Sequence, residues 1–138
     1  MTPLKIGACL GICEIETHRD WLFDAARDIE IQDFMLFESL SSDRADRITA
    51  ARAALDGHRG RVGIHGPFEG LDIDNKDPEL QPLIAARFLS ALEAADAIGA
   101  RQMVLHSPYT LWYQNHVLAT PRHARAKPAR TPHDHPPR

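Results

Sequence analysis

The sequence predicts an α/β fold built on a parallel sheet, and three observations predict it. Short apolar runs alternate with longer segments of helical periodicity, and turn or cap residues separate them. Two of the runs also repeat one another, Arg61-Val62-Gly63-Ile64-His65-Gly66-Pro67-Phe68 and Gln102-Met103-Val104-Leu105-His106-Ser107-Pro108-Tyr109, at an offset of 41 residues. That offset is the length of one strand, one loop and one long helix. Each repeat closes its apolar run on a histidine, and a histidine on the last residue of a buried parallel strand points into the mouth of the sheet, where α/β enzymes gather their chemistry.

Each element has its own signal. Leu4 to Leu10 is a short apolar run and reads as the first strand. Arg19 to Ile29 places Trp21, Leu22, Ala25, Ala26 and Ile29 on one helical face. Asp33 to Glu38, with Phe34, Met35, Leu36 and Phe37 consecutive, is too short and too continuously apolar for a surface helix and suits a strand buried on both faces. Ser41-Ser42-Asp43 caps a second helix with apolar positions at Ala45, Ile48, Ala51 and Leu55, and Gly57 sits where it should end. Arg61 to His65 is the third strand. In the clearest helix, Asp77 is the natural N-cap and Pro78 fits the first turn. Leu80, Leu83, Ile84, Phe88, Ala91, Leu92, Ala95 and Ile98 then form one stripe that ends at Gly99. The fourth strand runs to His106.

With 138 residues, 43% of them hydrophobic and 25% charged, the chain has the composition of a globular sequence with one core. No apolar run approaches a membrane span. The run after Lys5 is short, closes on Glu14 and offers no clean cleavage site, so a cytoplasmic protein is expected. Cys9 and Cys13, four residues apart in one predicted strand, point to the same side and cannot easily bridge, which makes them core thiols rather than a metal or redox pair. From Ala119 onward five basic residues stand against Asp134, a net +4, so the body before it carries −7 of the chain's overall −3. An acidic body is a poor partner for a phosphate backbone, and nucleic acid is not expected to bind.

Strands alternating with helices of this length make a parallel sheet with right-handed crossovers. A small doubly wound sheet usually has a glycine-rich phosphate loop after its first strand, and Gly7-Ala8-Cys9-Leu10-Gly11-Ile12-Cys13-Glu14 does not match it. Four strands and three helices before residue 110 are instead half of a (β/α)8 barrel, whose full length is about 250 residues. Residues 1–118 are accordingly expected to be the first half of such a barrel. A half-barrel exposes two strand edges and one apolar sheet face, which favours a homodimer that closes the barrel, or aggregation, and leaves open a chain without activity of its own.

The residues Ile64-His65-Gly66-Pro67-Phe68, the Ala-rich helix ending in Ala97-Ile98-Gly99-Ala100, and Val104-Leu105-His106-Ser107-Pro108 resemble the xylose isomerase-like TIM barrel superfamily. The resemblance covers roughly Leu4 to Val117. It implies a metal-dependent isomerase or epimerase of a small sugar or sugar phosphate, with His65 and His106 delivered to the mouth by the third and fourth strands. A divalent ion (Mn, Mg, Co or Zn) is implied with it, its glutamate, aspartate and histidine ligands coming mostly from the fifth strand onward. The chain has no such strands in its sequence and is expected to be truncated and incomplete as an enzyme. A more distant branch, the endonuclease IV type of abasic-site nuclease, would make His65 and His106 zinc ligands, a reading that the acidic body opposes.

As neutral imidazoles, His65 and His106 can bind a sugar hydroxyl, pass a proton or ligate a metal; a strand-end histidine can also simply bond a loop carbonyl, and the repeat favours the site. Glu38, closing four apolar residues, is the next catalytic candidate, with capping of the following loop as its alternative. Phe68, Tyr109 and Trp112, with Tyr113 beside them, are candidates for packing against a sugar, and equally for packing onto the rim. Glu69, Asp72, Asp74 and Asp77 lack the glycine and closing glutamate of a calcium loop and read as a solvated loop with a helix cap. Residues 119–138 are rich in Pro, Arg and His and almost without large apolar side chains, so they are expected to be disordered, and the abrupt change in composition suggests an out-of-frame extension. His133-Asp134-His135 looks like a metal site there but has no fixed surroundings to orient it.

Overall fold

A computed structural model describes residues 4–107. The chain divides into a unit ending at His106, which holds every element named below, and a second beginning at Ser107. Tyr109, Trp112, Tyr113, the basic tail and His133-Asp134-His135 lie outside the described residues.

The first unit is α/β. Four strands, β1 (Ala8–Leu10), β2 (Ile29–Ile31), β3 (Val62–His65) and β4 (Gln102–Val104), form one parallel sheet in the order β1-β2-β3-β4. Helices α1 (Ile12–Thr17), α2 (Arg19–Asp24), α3 (Arg44–Ala54) and α4 (Gln81–Ala97) occupy the connections. Among the described residues the outer edges of β1 and β4 are unpaired, and no helix is long and apolar enough to cross a membrane.

One face of the sheet makes the core. Leu10, Ile29, Ile31 and Ile64 are buried against Ile15, Leu22, Phe34, Ala51 and the small residues Ala91, Ala94 and Ala95 of α4. The alanines let α4 lie close to the sheet, which a row of leucines would prevent. The expected stripe on α4 is therefore only partly inward: Ile84, Ala91 and Ala95 are buried, whereas Leu80, Leu83 and Leu92 are exposed.

Several boundaries differ from the sequence expectation, each for a physical reason. The first strand is confined to Ala8–Leu10, and Leu4 and Ile6 are exposed. The expected helix from Arg19 to Ile29 stops at Asp24, because Ala26 takes a left-handed φ of 45° and turns the chain into β2. The second strand is thus Ile29–Ile31, not Asp33 to Glu38. That later run forms the 3-10 turn Asp33–Met35 and leads into a second, Glu38–Leu40; Phe34 in the first is buried, while Leu36 and Phe37 between the two are exposed, Phe37 beneath the Arg87 guanidinium. The four apolar residues are not a two-faced strand; one anchors a turn. Asp77 accepts a bond from Glu79 N at 2.9 Å and so caps a turn ahead of α4, which starts at Gln81 with Pro82 in its first turn.

Other expectations hold. β3 ends on His65. Asp43 is the N-cap of α3, though its side chain makes no cap bond. Gly99, at φ 74°, ends α4 as a Schellman motif, with Gly99 N donating to Asp96 O and Ala100 N to Ala95 O at 3.0 and 2.8 Å.

Gly11 precedes α1 and has no side chain to cap it. Asp33 supplies the missing oxygen: its Oδ2 accepts Ile12 N at 2.7 Å and its Oδ1 accepts Arg47 Nη1 of α3 at 3.0 Å. Glu14 Oε2 reaches back to Gly11 N at 2.7 Å. Asp33 thereby ties α1, the end of β2 and α3 together. Asp33→Ala leaves the α1 amide and the guanidinium without that partner and is expected to cost about 1–2 kcal/mol in denaturant unfolding; Asp33→Asn, which keeps a capping oxygen, is expected to cost less. Equal losses would assign the effect to charge rather than capping.

At the opposite strand ends, Asp28 accepts Arg61 Nη2 at 2.7 Å, and its carbonyl accepts Ala8 N at 2.9 Å. The hydrogen bond and charge of Arg61 hold the Asp28 carboxyl below its usual range. A folded pKa below the unfolded one stabilises the fold above the unfolded pKa, and the gain is lost as pH falls through the folded pKa. Asp28→Asn is expected to be slightly less stable than the parent at neutral pH and equal to it in strong acid, read from thermal melts across that range.

Candidate functional site

Strand periodicity decides what the other face carries. With Ile29 and Ile31 directed into the core, Glu30 must face the opposite side. The register places Cys9 opposite Glu30, Glu30 opposite Gly63, and Gly63 opposite Gln102. One row therefore crosses all four strands on the face away from the helices. His65 lies two residues beyond Gly63 on the same face, paired with Val104.

Glu30 is the centre of this face. Its Oε1 accepts the Cys9 thiol at 3.3 Å and pairs with His65 Nδ1 at 2.8 Å. The two side chains of the His65–Glu30 pair are only 15% and 21% exposed, so their bond is shielded from competing water. An ionised carboxylate only accepts, so Nδ1 of His65 carries a proton. In neutral His65 that leaves Nε2 as an acceptor. Nε2 lies 3.1 Å from Nε2 of His106, which then donates. The two histidines of the repeat thus meet, and the carboxylate beneath them sets their tautomers.

Phe68 completes the cluster. Its ring stacks on His106 at 4.0 Å and 12°, and meets the edge of His65 at 5.5 Å. Gly66 and Pro67 carry the chain from β3 to it, and Gly66 N donates to Val104 O at 2.8 Å, continuing the pairing past the strand end. A Cβ on Gly66 would stand 2.5 Å from Leu105 Cδ2, so a larger residue there would push the Leu105 side chain aside where the two histidine motifs cross.

Of the residues singled out from sequence, His65, His106 and Phe68 come together. Glu38 does not join them. It is the exposed first residue of the 3-10 turn Glu38–Leu40, where its carbonyl accepts Ser41 N and Asp43 N. The carboxylate at the histidines is that of Glu30, which sequence periodicity leaves outside any strand. The cysteines are corrected as well: both are exposed rather than core thiols, and Cys13 lies on α1. The alternation Ala8-Cys9-Leu10 and Ile29-Glu30-Ile31 is the sequence signal that points to Cys9 and Glu30.

Cys9 has its thiol pKa raised, first by burial and then by the hydrogen bond and charge of Glu30. A cavity of about 250 Å³ opens beside Cys9 and Glu30, lined also by Asp28 and Gln102.

No protein-family model, curated protein or solved structure matches this chain.

In a Cys13→Ser background, Glu30→Ala is expected to move the pH midpoint of Cys9 alkylation downward, because the acceptor and its negative charge are both removed while the burial remains. An unmoved midpoint would separate the thiol from the carboxylate.

Proposed function

We propose that the four-stranded sheet is the first half of a (β/α)8 barrel of the xylose isomerase-like type, and that His65 at the end of β3 and His106 just beyond β4 bind a small sugar or sugar phosphate for isomerisation or epimerisation. The observation that carries the reading is the meeting of His65 and His106 at 3.1 Å with the Phe68 ring stacked on His106. Imidazoles that can accept or donate a proton beside an aromatic face suit a ligand with hydroxyl edges and an apolar C–H face.

Within this reading Glu30 is a positioning residue. It holds the His65 Nδ1 proton, which leaves Nε2 basic and aimed at His106. Isomerisation moves a proton from the carbon next to a carbonyl to a base, giving an ene-diolate, and returns it to the neighbouring carbon; epimerisation returns it to the same carbon from the other side. When a substrate hydroxyl accepts the His106 Nε2 hydrogen bond in place of His65, His65 Nε2 is freed as the proton acceptor and His106 holds that hydroxyl. The carboxylate-rich ligand set that the resemblance implies for a divalent ion is not present among the described residues. The donors that do cluster include a thiol, which suits neither magnesium nor manganese.

With both edges of the sheet unpaired among the described residues, the same reading has two copies closing the ring, β4 of one against β1 of the other. Sedimentation is expected to give a dimer, and a monomer would remove this part of the reading.

Titration of the full chain with a ketose and a ketose phosphate, with chelator present, tests the proposal by calorimetry and by histidine NMR shifts. Binding is expected to weaken by about 2- to 12-fold in His65→Ala or His106→Ala, the value of one hydrogen bond of about 0.5–1.5 kcal/mol. Sugar affinity unchanged in both variants, or no binding by the parent chain, would overturn it.

A further inference from the structure

Below the histidine pair the same face holds a second chemistry. Cys9, Glu30 and His65 each offer a ligand atom, and the three atoms lie within 4.8 Å of one another. They come from β1, β2 and β3, three adjacent strands whose main-chain bonds fix their spacing before any ligand arrives. Gly63, opposite Glu30, adds no side chain to the space between them. The cavity of about 250 Å³ beside Cys9 and Glu30 gives an ion and its water a way in.

The geometry points to a zinc site made by Cys9 Sγ, a Glu30 carboxylate oxygen and His65 Nδ1. Thiolate, carboxylate and imidazole are the donors zinc takes, at about 2.0–2.3 Å, so tetrahedral ligand atoms stand about 3.3–3.8 Å apart. The two hydrogen bonds to Glu30, at 2.8 and 3.3 Å, need a small opening to reach that spacing, and the sulfur and the imidazole, within 4.8 Å of each other, need to close by at most about 1–1.5 Å. On binding, Cys9 releases its thiol proton to solvent and its sulfur bonds the ion. His65 keeps one proton, moved from Nδ1 to Nε2, and His106 moves its own proton from Nε2 to Nδ1, so that its Nε2 now accepts from His65. Three protein donors leave the fourth tetrahedral position to water, the arrangement of zinc sites that act on a substrate rather than hold a fold. The site requires no sugar and goes beyond the isomerase proposal.

The test uses the purified full chain stripped with chelator, titrated with zinc against a chromophoric chelator and with cobalt as an optical stand-in. One equivalent is expected to bind, with a thiolate-to-cobalt charge-transfer band in the near ultraviolet. Cys9→Ser is expected to abolish the band and weaken zinc at least about tenfold. Cys13→Ser and the double change His133→Ala with His135→Ala are expected to leave both intact. In the unaltered chain, zinc is expected to slow alkylation of Cys9 but not of Cys13, read by peptide mass mapping, so the result does not depend on a variant folding. A band that survives Cys9→Ser, stoichiometry lost with the tail histidines, or equal alkylation of the two cysteines in zinc would overturn the site. Sugar binding, measured with chelator present, fails or succeeds separately.

Discussion

A two-residue alternation in β2 governs the molecule. Ile29 and Ile31 each go into the core, which forces the residue between them onto the other face. In a parallel sheet the same position on each neighbour lies beside it, so the choice made in β2 is carried across as Cys9, Glu30, Gly63 and Gln102. Strands of three or four residues offer only one or two outward side chains apiece. The chemistry of the face is therefore decided by very few positions, and a carboxylate at one of them becomes its organising charge. A half-buried carboxylate needs donors; Glu30 finds them in Cys9 and His65.

The fold supports that arrangement from both ends of the strands. Asp28 and Arg61 clamp the entry to β2 and β3, while Gln32 N donates to Leu10 O at 3.1 Å just past the exit of β1 and β2. Asp33 then caps α1, so the helix leaving β1 is anchored to the turn leaving β2. The separation of Cys9 from Glu30 thus follows from the backbone, and the side chains meet without spending much rotamer freedom. Histidine placement works by another route. His65 is the last residue of β3, but His106 lies two residues past β4 and is exposed. Its position depends on the stack with Phe68 and the bond to His65.

Sequence periodicity makes the parallel α/β class, β3, α4 and the histidine pair legible, because long stripes and a repeated motif average over local exceptions. It fails where an element is short. Ile29-Glu30-Ile31 is a strand of three residues beside a louder run of four apolar ones, and the helical period absorbs Ile29 until the turn at Ala26 breaks it. That one error hides the site's carboxylate and raises Glu38 in its place, since Glu38 gains its role from a strand that does not exist. Cys9 is hidden differently. The short alternation Ala8-Cys9-Leu10 is muted because all three residues are apolar, and the register places Cys9 opposite Glu30.

The charge of the cluster gives the last step. With a neutral thiol, a neutral imidazole and an ionised carboxylate, Cys9, His65 and Glu30 together hold one negative charge on a partly shielded face of an already acidic body. Two hydrogen bonds to one oxygen spread that charge but do not cancel it. A divalent cation taking a thiolate, a carboxylate and a neutral imidazole forms an assembly of zero net charge from the same three residues. Shielding, which penalises a lone carboxylate, favours such a neutral set once its donors are held in place. The one site that the alternation of β2 builds can therefore exist in two satisfied states, one closed by protons and one closed by a metal, and the sheet need not rearrange between them.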